Sequence, residues 1–110
     1  QQKDVLPVRN GYAQITEHLF DRDALIVENR QASAVSLCTP DKKPYLTVSF
    51  DAPLFGLWSP AGKGAPFICI EPWYGRCDRT TFDGSLEQRE YGNTLQAGEV
   101  FRREYIITVE

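Results

Sequence analysis

At 110 residues the chain has room for one folding unit, and a unit of that size buries only about two-thirds of the surface its unfolded form exposes. Hydrophobic residues at 42% and charged residues at 25% are a globular composition, which excludes a disordered tail or a membrane-embedded protein. Twelve Lys and Arg against fifteen Asp and Glu leave a formal charge of −3, so there is no basic field to neutralise a phosphate backbone, and nucleic acid is not an expected partner.

Nowhere do apolar positions repeat at i, i+3, i+4 and i+7 over a length that would hold a helix, so the expected elements are strands. In chain order they are residues 12–16, 24–28, 34–38, 45–50, 55–59, 67–71 and 99–109, separated by Gly, Pro, Asn and Asp. The segment 17–22 is too short for more than a single helical turn. Residues 39–44 carry the turn chemistry of a hairpin, and 95–99 form a Gly-containing turn ahead of the last strand. In that last run Phe101, Arg103, Tyr105, Ile107 and Val109 alternate with Arg102, Glu104, Ile106 and Thr108, a period of two that predicts pairing on at least one side. Short strands in this number predict an all-β fold, an antiparallel β-sandwich.

The sequence contains no methionine and is therefore expected to be a piece of a longer polypeptide. It has no apolar stretch of the length a signal peptide or a membrane span requires, so no membrane partner is expected. Cys38, Cys69 and Cys77 match neither a zinc pattern nor a redox pair. They read as free thiols, with no metal, in a reducing and hence cytoplasmic setting.

Chemistry concentrates in residues 65–78. The apolar run Phe67-Ile68-Cys69-Ile70 ends in Glu71, followed at once by Pro72, Trp73, Tyr74 and Gly75. Glu71 shares a strand face with Phe67 and Cys69, which reads as a core face, and Pro72 is expected to end the ladder. A carboxylate in that place is costly unless it is paired, hydrogen-bonded or lining a cavity. Two readings stay open: Glu71 lines a pocket, or it makes a structural ion pair with Arg76 or Arg79. Trp73 and Tyr74 beside it suit a ligand with both C–H faces and hydroxyls, such as a sugar, and equally suit the capping of a sandwich end.

The run Pro66 to Gly75, preceded by Phe55-Gly56-Leu57-Trp58-Ser59, resembles the C-terminal region of the aldose 1-epimerases, or galactose mutarotases. Residues 19–26 and 95–101 extend the resemblance over most of the chain. It implies that residues 1–110 form the C-terminal portion of a single antiparallel β-supersandwich domain whose N-terminal portion lies outside this chain. It further implies binding of a hexose in an open groove and interconversion of its α and β anomers, with no cofactor. By position, Glu71 matches the general base. Asp23, or Asp21 after a shift of two residues, matches an aspartate that binds sugar hydroxyls, and Trp73 is expected to contact the sugar.

The family uses two histidines, one as general acid, whereas this chain has one. His18 matches neither family segment and is expected to be a surface residue. The acid is then expected to lie in the missing portion, and the chain alone to be inactive, with open strand edges that favour self-association or take up that portion. Two other functions compete: a hexose-6-phosphate epimerase with Arg76 and Arg79 on the phosphate, and a non-catalytic carbohydrate-binding module.

Overall fold

In the computed structural model, which describes residues 6–110, six strands form two three-stranded antiparallel sheets. The strands are β1 (Leu25–Val27), β2 (Ala34–Cys38), β3 (Pro44–Phe50), β4 (Leu54–Trp58), β5 (Cys69–Trp73) and β6 (Tyr105–Val109), with a 3-10 turn at Leu86–Gln88. One sheet has the order β1-β4-β5 and the other β2-β3-β6. The fold is thus all-β and antiparallel, as its alternating apolar runs predict.

The hairpin between β2 and β3 closes as its turn residues require. The Thr39 amide donates to the Lys43 carbonyl at 2.9 Å, and Lys42 takes the left-handed conformation at φ 65°. Along β3, Val48 and Phe50 point inward while Thr47 and Ser49 point out, and the Thr47 hydroxyl meets that of Ser36 across the pair at 2.7 Å. Only residues 51–53 then separate β3 from β4, so the chain passes directly from one sheet to the other. This crossing places Phe50 and Phe55 on facing surfaces, with ring centroids 5.2 Å apart and planes at 53°. Val48, Phe50, Ala52 and Phe55 form the core between the sheets, with Val35 and Leu46 added from one sheet and Val27, Leu57 and Ile70 from the other, while Phe20 and Leu54 are buried outside that cluster.

Departures from the expected elements have local causes. Residues 12–16 are not a strand. Asn10 (φ 52°) and Gly11 (φ 81°) instead make a tight turn of the kind that closes hairpins, with one bridge between Arg9 and Tyr12. Residues 17–22 are a series of turns. The fourth and fifth strands lie one and two residues from their expected limits, and Pro72 sits inside the ladder opposite Phe55 rather than ending it. A proline is tolerated there because β5 is an edge strand, bonded to β4 alone.

Of the expected strand 99–109 only Tyr105–Val109 joins a sheet. Upstream, Phe101 packs edge-on against Tyr74 at 6.3 Å, the Arg103 guanidinium lies over both rings, and the Tyr74 hydroxyl donates to the Glu104 carbonyl. The register pairs Val109, Ile107 and Tyr105 with Leu46, Val48 and Phe50, so the β6 trio extends the interior face of its sheet. Yet Val48 is 6% exposed while its neighbour Ile107 is 56% exposed. The facing sheet does not reach far enough to cover β6.

Candidate functional site

The β1-β4-β5 sheet has two faces. Phe55, Leu57 and Ile70 look into the core, so the alternate positions Leu54, Gly56 and Trp58 of β4, Cys69, Glu71 and Trp73 of β5, and Ile26 of β1 lie on the other face. Glu71 therefore shares its face with Cys69 as the alternation requires, but that face is turned away from the inter-sheet core. Cys69 is aligned with Trp58, Glu71 with Gly56, and Trp73 with Leu54. Trp58 also packs against Phe67, with ring centroids 6.3 Å apart.

Glu71 is half-buried, and its Oε2 accepts a hydrogen bond from the Trp73 indole Nε1–H at 3.1 Å. Among the described residues no cation stands within ion-pair distance of it. The two arginines that could have paired with it are engaged elsewhere. The Arg76 side chain, 3% exposed, has Nε 2.9 Å from Glu28 Oε1 and Nη2 on Glu90. That Nε contact is an ion pair whose N–H is not aligned for a hydrogen bond. Arg79 Nε donates to Glu90 at 2.9 Å, and Arg89 pairs with Asp78 at 2.7 Å.

The electrostatics follow from these contacts. The hydrogen bond from Arg79 does most to hold the Glu90 carboxyl below the usual glutamate range; desolvation opposes it, and the charge of Arg76 adds to the lowering. The same Glu90 bond raises Arg79. Both guanidiniums invoked for a sugar phosphate thus face carboxylates, and the phosphate reading has no observation in its favour. The carboxylates of this network, Glu28 and Glu90, are far from the arginines in sequence, so no short-range spacing could have revealed it.

Asp23 is exposed, in the left-handed region at φ 84°, and its Oδ1 accepts from the Ala24 amide at 2.8 Å. Aspartate tolerates that conformation because its short carboxylate bonds the local backbone. It precedes β1 at the end nearer Trp58, three residues from Ile26, which is level with Gly56 and Glu71. His18 is exposed, with Nδ1 2.9 Å from Asp21 Oδ2, the surface placement expected of it.

Cys38, Cys69 and Cys77 are free thiols. Among the described residues no three Cys, His, Asp or Glu side chains converge as a metal site would need, and no helix is long and apolar enough to cross a membrane.

Over 92 residues, 83% of its length, the chain is 29% identical to the protein LacX of Lactococcus lactis subsp. lactis, in both its chromosomal and its plasmid form. It spans only 30% of the length of these relatives. No protein-family model matches the chain, and no solved structure matches it.

Proposed function

We propose that this chain is the base-bearing, C-terminal portion of an aldose 1-epimerase-like β-sandwich that interconverts the anomers of a hexose. The observation that carries the reading is the state of Glu71. It stands on the sheet face away from the core and is held by one neutral donor. No cation among the described residues neutralises it. A carboxylate kept for structure alone would be expected in an ion pair, as Glu28 and Glu90 are.

In this reading Glu71 takes the proton of the C1 hydroxyl while a general acid protonates the ring oxygen, and the bond between C1 and that oxygen opens. Rotation about C1–C2 and reclosure with the roles reversed give the other anomer. Asp23 binds sugar hydroxyls across the ring, Trp73 contributes its apolar face, and the acid belongs to the part of the domain outside this chain.

The exposed surface supports that division. The chain exposes 8687 Å², where a compact protein of 12.5 kDa exposes about 6,200 Å². Even fully exposed, the five residues outside the described range contribute about 160 Å² each, a third of the roughly 2,500 Å² excess at most. The remainder exceeds what a standard interface buries on one partner and includes the interior face of β6. Polypeptide that completes the sandwich would account for it.

Polarimetry on freshly dissolved α-galactose and α-glucose tests the reading in the longer protein. Glu71→Gln should lower turnover by at least about 100-fold with sugar affinity little changed. Loss of affinity and turnover together would point to a carbohydrate-binding module, and unchanged turnover would refute the base assignment.

A further inference from the structure

Two residues in an extended strand that share a face have backbones about 6.6 Å apart, and their side chains stand roughly parallel, out of the sheet. For Trp73 to reach Glu71, its indole must lean across the neighbouring strand, and the residue level with Glu71 there is Gly56. A Cβ at Gly56 would lie 3.1 and 3.2 Å from Cζ2 and Cε2 of Trp73 and 3.4 Å from Oε2 of Glu71. The backbone of Gly56 has no positive φ, so no turn or strain calls for glycine. What calls for it is the closeness of the indole and the carboxylate.

We infer that Trp73 and Gly56 are positioning residues for Glu71, an inference that rests on reading Glu71 as the base. Gly56 provides the notch and Trp73 fills it. The indole N–H, a donor that cannot accept, then fixes Oε2 and leaves Oε1 to face the hydroxyl that is to lose its proton. An arginine in that place would fix the carboxylate equally well, but it would bring a full positive charge beside the base. The indole fixes the orientation and adds no charge.

The test has a spectroscopic arm and a kinetic arm. The chain contains two tryptophans, so nitrogen-15 labelling of the 110-residue chain yields two indole N–H resonances, assigned through Trp58→Phe and Trp73→Phe. Glu71→Gln should move the Trp73 resonance and leave that of Trp58 in place. Gly56→Ala should move the same resonance while the rest of the amide spectrum keeps its dispersion.

In the longer protein, Trp73→Phe keeps an aromatic ring but removes the donor, and should lower kcat by about tenfold to a hundredfold with KM little changed, the loss expected for a hydrogen bond to a charged group. A Trp73 resonance indifferent to Glu71→Gln, or a kcat indifferent to Trp73→Phe, overturns the inference. Failure of the base reading has its own signature: the resonance moves, yet Glu71→Gln leaves turnover intact. The contact would then stand without a catalytic group to position.

Discussion

Truncating Ile107 to alanine should destabilise the chain less than truncating Val48, although it removes the larger group. The two residues are paired in the β3–β6 register and point to the same side of their sheet. Val48→Ala deletes two methyl groups from a site 6% exposed and leaves a cavity in the core, for about 2–3 kcal/mol in all. Ile107→Ala deletes three carbons, but at 56% exposure less than half of their burial is lost and no closed void remains, so the cost is about 1 kcal/mol. Urea unfolding followed by the fluorescence of Trp58 and Trp73 measures both, and a shared slope would confirm that the midpoints report stability alone. The series is best run at low micromolar protein, where any self-association contributes least. An Ile107→Ala cost equal to or above that of Val48→Ala under those conditions would show that the β6 interior face is covered within the chain. The exposed surface would then no longer support the proposal that further polypeptide completes the sandwich.

Two more outcomes follow from contacts already described. Glu90, held below the usual glutamate range by Arg79 and Arg76, contributes stability that is fully present above its unfolded value and is lost as pH falls toward its depressed folded value. Glu90→Gln should therefore flatten the fall of stability with acid in the region below the ordinary glutamate range, as read by urea midpoints at stepped pH; curves that run parallel to wild type there would contradict the assignment. Ile107→Lys, which puts a charge on an uncovered apolar strand, should shift sedimentation toward monomer at high protein concentration, whereas an unchanged distribution would place any self-association elsewhere.

Much of the fold can be read directly in the chain because its signals are local. Alternation along residues 34–38 and 45–50, with turn residues between, specifies β2, β3 and their hairpin without outside information. Features that depend on remote partners are not readable in this way. Residues 99–104 belong to the same run as 105–109, yet among the described residues no strand pairs with them, and Tyr74 takes Phe101 and Arg103 into an aromatic cluster instead. Asn10-Gly11 did carry a legible hairpin signal, which the apolar content of residues 12–16 obscured. At the site, the periodicity correctly gave Glu71 the face of Cys69. Which side of a sheet is interior depends on where the second sheet packs, however, and buried or half-buried apolar residues occupy both faces of β4 and β5. Gly56 is not legible for a related reason: its meaning lies in the strand register, which pairs it with Glu71, and nothing in the sequence around it states that register.

The edges of the two sheets differ in how readily they would accept a further strand. A free edge offers unpaired N–H and C=O groups to any passing strand, and proteins blunt this with short strands, bulges or proline. Three of the four edge strands are blunted in one of these ways. β1 has only three residues, β2 has a register irregularity at Leu37/Cys38, and β5 carries Pro72. β6 has none of them: five residues, Tyr-Ile-Ile-Thr-Val, run without charge, proline or bulge, and both faces are exposed. A further strand is thus most readily added beyond β6, in the sheet that does not hold Glu71. Polypeptide packed there would bury Tyr105, Ile107 and Val109 while leaving β5 at the edge of its own sheet.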